Sequence, residues 1–247
     1  MAIKVLLESK EYLVISKLIG ISVHSGAGKE KHTVRDWFWK KYPEIQNLAW
    51  KTKTREGIIH RLDKDTSGLL ILAKTPKALE YFQSQFKNRK IEKHYIALVF
   101  GKPPFEEGEI NALVYRDPKD REKQKVSLID FALDEQEKKF SATKYKVLRY
   151  YTYKNQVLTL LDVKILTGRK HQIRIHMKHE GCPVIGDNKY FTKPSRRISA
   201  ELGLKRQFLH ASRLRFRNYP RREIIEIEDT LPRELRRILK KLKSIES

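Results

Sequence analysis

One carboxylate of this sequence is surrounded by cations and hydroxyls in a way that suits catalysis. Asp63 lies within residues 60–68, His-Arg-Leu-Asp-Lys-Asp-Thr-Ser-Gly, which run directly into the apolar residues 69–73. Neighbouring cations and hydrogen-bond donors stabilise the ionised form of a carboxylate, and an ionised Asp can serve as nucleophile, base or metal ligand. A loop Asp ahead of a glycine also commonly forms a structural Asx-turn, and Asp65 fits that role better than Asp63.

A second segment, residues 166–176, is dense in cations. A Thr-Gly turn opens a predicted helix that carries Arg169, Lys170 and Arg174. Such side chains hold phosphate groups or pair with carboxylates. The segment lacks the glycine spacing and the Lys-Ser/Thr ending of a phosphate-binding loop.

The same segment does not predict a metal site, although it is rich in histidine. His171, His176 and His179 have no acidic or cysteine partner in this stretch, and positions five residues apart do not share a helix face. Cys182, the single cysteine, is expected to be an inert buried thiol rather than a nucleophile.

Two shorter runs carry an aromatic ring and an imidazole. Tyr95 lies within residues 93–97, Lys-His-Tyr-Ile-Ala, in a predicted strand. It is either a core residue or a platform on which a nucleobase stacks, with a hydroxyl that could carry a proton. His210 lies in a short run with Arg213, residues 209–214, and is a weak signal alone.

The composition points to a polyanionic partner. The chain has 247 residues, with 53 Lys+Arg against 30 Asp+Glu and a formal net charge of +23. A field of that sign attracts phosphate backbones and anionic lipid. The sequence shows neither an apolar run near the ~20 residues of a spanning helix nor a signal peptide. We therefore expect no membrane contact. We also expect a cytoplasmic location, since a single cysteine allows no internal disulfide.

The elements that position these residues can be predicted from periodicity and capping signals. We expect helices at 34–41 (capped by Thr33), 77–90, 169–180 and from 230 onward, and strands within 12–24 on both sides of a glycine turn and at 94–100, 142–148, 157–165 and 213–217. Residues 115–126 read as a charged loop that either contacts a polyanion or is merely solvated. Strands outnumber helices, which predicts an α+β fold. We expect one domain over residues 1–247, with a mixed, largely antiparallel central sheet flanked by helices and loops, and a basic active-site cleft.

Together these segments resemble the RluA-type RNA pseudouridine synthases over roughly residues 10 to 240. The stretches that carry the resemblance are 60–68, 93–97, 142–147, 167–176, 181–187 and 209–211. The first resembles the family's catalytic signature and the second its tyrosine motif. The chain departs from the family at residues 17–20, Lys-Leu-Ile-Gly in place of Lys-Pro-x-Gly, which we expect to loosen one turn without affecting catalysis. We also expect no N-terminal S4 RNA-binding domain, which many members carry.

The resemblance implies an isomerase that converts uridine in structured RNA, ribosomal or transfer, to pseudouridine. It implies Asp63 as the catalytic carboxylate, Tyr95 stacked on the flipped base and handling a proton at C5, and Arg174 as the ion-pair partner of Asp63, with Arg169 as the alternative. Residues expected to bind substrate are His60, Arg61, Thr66, Arg169, His171, Gln172 and His210. Arg61 would fill the vacated stack or hold a phosphate. No cofactor or metal is required, and we expect a monomer without an obligate protein partner.

Two other classes of function remain open from the residues alone. A non-catalytic RNA-binding or ribosome-associated protein would have a similar charge, but would not need Asp63, Tyr95 and Arg174 together. A phosphotransferase is suggested by residues 60–63, which faintly resemble a kinase catalytic loop. The additional Leu, and the absence of a Gly-rich loop and of Asp-Phe-Gly from the sequence, argue against it.

Overall fold

The computed structural model of the chain describes residues 3–25, 32–50, 56–127 and 138–245. The chain divides into two compact units, each built from separate stretches of sequence. Unit 1 comprises Met1–Glu92 and Ala211–Thr230, and unit 2 comprises Lys93–His210 and Leu231–Ser247. The expectation of one domain over residues 1–247 stays a prediction.

The elements follow one another along the chain as strands with interspersed short helices. In chain order they are β1 (Lys4–Glu8), β2 (Tyr12–Lys17), α1 (Val34–Lys41), a 3-10 helix (Pro43–Asn47), β3 (Ser67–Ala73), α2 (Pro76–Lys87), β4 (Glu92–Phe100), β5 (Glu107–Arg116), β6 (Gln124–Ser127), β7 (Lys139–Tyr153), β8 (Gln156–Ile165), α3 (Gln172–His179), α4 (Lys193–Leu202), β9 (Leu209–Arg217), β10 (Ile224–Glu228), α5 (Arg233–Leu239) and β11 (Lys243–Ile245). The α+β class is confirmed.

Unit 1 is organised around the buried strand β3. Antiparallel β2 separates β3 from β1, while β9 lies beside β3 and pairs antiparallel with β10. Every residue of β3 is buried, as its continuous apolar run predicts. Its core-facing Leu69 and Ile71 pack with Phe82 of α2 and Phe216 of β9. The strand is therefore a rigid support for the loop that precedes it.

Gly68 is required where that loop enters β3. Its φ is +116°, and a Cβ atom there would lie 2.2 Å from the carbonyl oxygen of Ala211. The backbones of β3 and β9 approach so closely that no side chain fits between them. The Thr-Ser-Gly ending of the loop is thus explained by packing as well as by turn chemistry.

Unit 2 contains an antiparallel sheet in the order β4-β8-β7-β5-β6, with β11 added to β7. Leu98 and Leu158 pack against Ile198 of α4 and Leu235 of α5. The C-terminal tail therefore covers a core with the helix face that carries Leu235 and Ile238, as an amphipathic helix does. Its helix is shorter than expected, because the chain turns at Lys240 and returns as β11.

Capping explains where the first two helices begin. The Thr33 hydroxyl accepts from the Asp36 amide, and the Asp36 carboxylate accepts from the Thr33 amide at 2.8 Å, which confirms the predicted start of α1. Thr75 caps α2, with Pro76 in the first turn. That helix ends at Lys87 rather than at 90, where the backbone of Arg89 turns left-handed.

Three sequence expectations are wrong in detail. Within residues 21–25, the part described after the turn at Gly20, there is no strand, and Ile21 and Val23 are buried in an irregular segment. The charged stretch 115–126 is a loop only in part: β5 extends to Arg116 and pairs with β6, and residues 117–123 form the loop of that hairpin. The many charged side chains of this stretch hide the alternation of apolar residues that is typical of a strand. In the structure, Val114 of β5 pairs with Val126 of β6. The third helix begins at Gln172 and not at residue 169.

Among the described residues, no helix is both long enough and apolar enough to cross a bilayer.

Candidate active site

The candidate catalytic carboxylate lies on a tight turn of unit 1. Asp63 is partly buried, and its carbonyl oxygen accepts from the Thr66 amide at 3.1 Å. Thr66 and Ser67 are buried at the start of β3, whereas Arg61 is exposed. The turn thus places one carboxylate next to solvent at the end of a core strand, with an exposed guanidinium two residues before it.

Buried Lys17 anchors this turn, although the sequence did not identify Lys17 as a site residue. Lys17 is fully buried at the end of β2, and its Nζ donates to the carbonyl oxygens of Leu18, Ile21 and Lys64, at 2.7, 2.9 and 2.9 Å. The Lys64 oxygen also accepts from the Gly20 amide at 3.0 Å. A buried ammonium requires such partners. The residue after Asp63 is therefore tied to the turn after β2, and residues 17–20, where the chain departs from the pattern of the family it resembles, adjoin the Asp63 turn.

His60 supports the same loop. Its Nε2 accepts from the Ile71 amide of β3 at 3.0 Å, which places the proton of the neutral ring on Nδ1. The ring stacks on Phe86 of α2, with centroids 4.6 Å apart. In this position the ring fixes the chain three residues before Asp63. Its predicted contact with substrate stays a prediction.

In unit 2, Gln172 organises the cationic segment. Its Oε1 accepts from the Thr167 hydroxyl and the Arg169 amide, at 2.7 and 3.0 Å. Its Nε2 donates to the Ala142 carbonyl and the Thr143 hydroxyl, both at 2.9 Å. These four bonds use the whole capacity of the amide. They hold residues 167–171 out of the helix, which explains its late start, and they leave Gln172 a positioning role.

Arg174 forms a buried ion pair within unit 2. Its Nε and Nη2 donate to the Asp187 carboxylate at 2.6 and 2.8 Å, and the two side chains are 4% and 0% exposed. Asp187 also accepts from the amides of Lys189 and Tyr190. The pair links α3 to the loop before α4. Pairing of Arg174 with Asp63 is neither tested nor excluded by this contact, and it stays a prediction.

The remaining expected site residues of unit 2 are mostly buried. His171 has a left-handed backbone, and its Nδ1 bonds with the Tyr190 hydroxyl at 2.9 Å. His210 is 0% exposed, and Tyr95 is buried on β4. Arg169 is exposed and donates through Nε to the Phe140 carbonyl at 3.0 Å. It is the cation of this segment best placed to meet a phosphate.

Lys93 shares a strand face with Tyr95 and was not among the expected site residues. The strand alternation of β4 puts both side chains on its buried face. Burial lowers the pKa of the Lys93 ammonium to about 8. Lys93 is the first residue of the segment 93–97, but a buried lysine cannot be distinguished from a surface lysine in one sequence.

The described residues contain no group of three or more His, Cys, Asp or Glu side chains that could hold a metal ion. His176, one of the three histidines in question, is buried, with its Nε2 2.7 Å from the Ser141 hydroxyl. Cys182 is buried, as expected, and burial raises the pKa of its thiol to about 11.

The expected site residues are divided between the units. Asp63, Arg61, His60 and Thr66 belong to unit 1, and the others belong to unit 2. A single active site and a basic cleft that combine them stay predictions. Comparison with known proteins identifies the family of the chain: the model of the RNA pseudouridylate synthase family matches residues 11–179. The chain belongs to that family.

Similar proteins agree with this assignment. An uncharacterized RNA pseudouridine synthase of Chlorobaculum parvum is 36% identical over 98% of this chain and 75% of its own length. Ribosomal large subunit pseudouridine synthase D of Nitrosomonas europaea is 34% identical over 98% of this chain and 66% of its own length. The structure of human RNA Pseudouridylate Synthase Domain Containing 1 matches with a TM-score of 0.76 at 23% identity, over 99% of this chain and 89% of that one. That likeness shows the fold.

Membership of the RNA pseudouridylate synthase family decides between the classes of function that the residues left open. The chain is an isomerase that acts on uridine in RNA. A phosphotransferase and a purely structural RNA-binding protein are both excluded as its main function. The resemblance of residues 60–68 to the family's catalytic signature was therefore the informative signal in the sequence.

Proposed function

We propose that this chain isomerises one or more specific uridines of large-subunit ribosomal RNA, with Asp63 as the catalytic carboxylate. The observation that carries the catalytic part is the Asp63 turn, in which a partly buried carboxylate precedes Lys64, whose carbonyl oxygen accepts from buried Lys17. The choice of ribosomal RNA is supported by relatives named for the large ribosomal subunit. Transfer RNA is the competing substrate.

The reaction requires one bond to break, the base to turn, and another bond to form. The C1′–N1 bond of uridine is cleaved, the uracil rotates, and C1′ joins C5. The proton on C5 leaves and N1 ends protonated, so atoms and charge balance without an oxidant. We propose that Asp63 either attacks C1′ and is displaced when C5 joins C1′, or takes a proton from the sugar and returns it when the new bond forms, since an ionised carboxylate can do both. The target uridine must leave its stack to reach such a group.

Tyr95 is proposed to stack on the flipped base and to carry the proton at C5. Arg174 is proposed to orient Asp63. The Asp187 carboxylate already accepts hydrogen bonds from Nε and Nη2 of Arg174. A second carboxylate would therefore approach the Nη1 side of the planar fork. Arg169 remains the alternative partner for Asp63.

RNA contacts are proposed for the exposed cations first. Arg61 would fill the vacated stack or hold a phosphate, and Arg169 would hold a phosphate; both are exposed. His60, Thr66, His171 and His210 are proposed to shape the pocket, because each is buried or bonded to its own unit. The partner is a structured RNA. We further propose a monomer in the cytoplasm that needs no protein partner and no membrane.

The substrate can be decided by tritium release from transcripts labelled at C5 of uridine, because each isomerisation frees one C5 hydrogen. We expect the purified full chain to release tritium from large-subunit ribosomal RNA and not from a pool of transfer RNA transcripts. Release from transfer RNA alone would contradict the choice of substrate. Release from neither would contradict the proposed function.

A further inference from the structure

Two aliphatic side chains are exposed on the turn that adjoins the Asp63 turn. Leu18 and Ile19 are 42% and 41% exposed. In the described part of unit 1, the other large hydrophobic residues with comparable exposure are Leu48 and Ile224, which lie apart from each other in sequence. Single exposed apolar residues are ordinary. An adjacent pair at the tip of a turn, on a chain with a net charge of +23, is not.

The turn that carries this pair is rigid. Gly20 has a φ of +75°, which a glycine adopts without strain. The Lys17 ammonium donates to the carbonyl oxygen of Leu18, which lies between the two residues of the pair, and to that of Ile21, two residues after it. The two side chains are therefore held outward by a backbone that is anchored from within.

The same anchor connects the pair to the catalytic turn. The Lys64 carbonyl accepts from both the Gly20 amide and Lys17 Nζ. Through this bond the Cα atoms of Ile19 and Asp63 lie within about 12 Å of each other by covalent dimensions. At the ~3.4 Å spacing of stacked nucleotides along one strand, that distance is on the order of three to four nucleotide steps. A nucleotide bound at Asp63 thus has its neighbours within reach of Leu18 and Ile19.

We propose that Leu18 and Ile19 form an apolar wedge that contacts the bases flanking the target uridine. When a base leaves its stack, its neighbours lose a stacking partner, and aliphatic side chains can cover the exposed base faces. This inference rests on the proposed function of Asp63. It adds a base-contacting surface that favours unpaired or easily unstacked neighbours and contributes affinity without charge.

The wedge predicts a loss of RNA affinity that does not depend on salt. The doubly substituted variant Leu18→Ala/Ile19→Ala should raise KM for RNA by about 10-fold, the expected effect of losing part of two buried aliphatic contacts. Its kcat should change little. Its KM should rise with KCl concentration with the same slope as the wild type, because no phosphate contact is lost. Its melting temperature should not fall, since both side chains are exposed.

The test uses the full chain and whichever labelled transcript releases tritium with the wild type. Leu48→Ala is the matched control, because Leu48 is 39% exposed in the same unit and outside both turns. We expect wild-type KM for Leu48→Ala. A wild-type KM for the double variant, an equal loss in Leu48→Ala, or a changed salt slope would each overturn the wedge. A normal KM for RNA with loss of binding to ribosomal proteins would assign the pair to a protein partner instead. Failure of the wild type to release tritium from any RNA would overturn the proposed function as well.

Discussion

Buried Lys17 makes the position of the Asp63 turn a property of the core rather than of the loop. Its ammonium serves three carbonyls, one of them on the residue after Asp63. The family pattern identifies a lysine at this place, but it does not say that the lysine is buried or that its partners belong to two turns. A carboxylate that must meet a reacting atom closely is sensitive to small displacements.

Replacing Lys17 should therefore affect both stability and turnover. We expect Lys17→Met to destabilise the protein by about 1–3 kcal/mol, since buried carbonyls lose their donor. At a temperature where the variant is fully folded, kcat should fall with little change in KM. Chemical denaturation and tritium release measure the two effects. Lys10→Met, at an exposed lysine of the same unit, is the control, and unchanged kcat in folded Lys17→Met would argue against a positioning role.

Tyr95 presents a different question, because its burial fits a core residue as well as a stacking platform. We predict that Tyr95→Phe binds RNA normally and turns over slowly, since the ring is kept and the hydroxyl is lost. Tyr95→Ala should also lose affinity, by about 1–3 kcal/mol of stacking. Tyr153→Phe, a partly buried tyrosine elsewhere in unit 2, controls for general effects. A wild-type rate in Tyr95→Phe would leave only the platform role.

At the scale of elements, α3 is fixed by polar contacts more than by its own sequence. Gln172 holds its first turn, Arg174 binds Asp187, and His176 bonds to Ser141 of β7. The sequence predicted the helix and its cations but not these partners, because each lies on a separate element. The same holds for β5 and β6, whose pairing was hidden by charged side chains. Periodicity identified the helices with caps and the strands with continuous apolar runs, and it failed where long-range pairing decides.

The Arg174–Asp187 pair should act as a unit. Arg174→Ala and Asp187→Ala should each cost about 3–5 kcal/mol, because either change leaves a buried charge without its partner. The double variant should cost clearly less than the sum of the two, which denaturation of all four proteins measures. Additive losses would mean that Arg174 has its main partner elsewhere, as the predicted pairing with Asp63 requires.

His176 gives α3 a predictable response to acid. Burial lowers the pKa of its imidazole from 6.5 to about 4, so above pH 6.5 the ring is neutral in both the folded and the unfolded state. As the pH falls below 6.5, the His176 ring is protonated in the unfolded state but stays neutral in the folded state. Stability is therefore lost from about pH 6.5 down to about pH 4 and not regained below.

The contribution of His176 to this loss can be isolated by mutation. Between about pH 7.5 and pH 5, it should be about 2 kcal/mol of unfolding free energy. His176→Gln should remove that part of the pH dependence in denaturation experiments, whereas His179→Gln, at an exposed histidine of the same helix, should keep it. An unchanged pH dependence in His176→Gln would contradict the buried neutral ring.

At the scale of the whole molecule, charge and family membership answer different questions. The net charge of +23 predicted a polyanionic partner but could not distinguish a catalyst from a binding protein. Short motifs distinguished them, because Asp63 and its neighbours follow a family pattern that composition does not contain. Neither could reveal which uridine is chosen, since that depends on the surface that meets the RNA.

The most direct test of the account compares two carboxylates of one turn. Asp63→Asn and Asp65→Asn remove the same charge at positions two residues apart, so that effects on RNA affinity and folding should be similar. We predict that Asp63→Asn releases no tritium above background from C5-labelled ribosomal RNA, while it binds that RNA and melts like the wild type. Asp65→Asn should keep most of the wild-type rate. Tritium release by Asp63→Asn at a rate comparable to that of Asp65→Asn would contradict the assignment of Asp63 as the catalytic carboxylate.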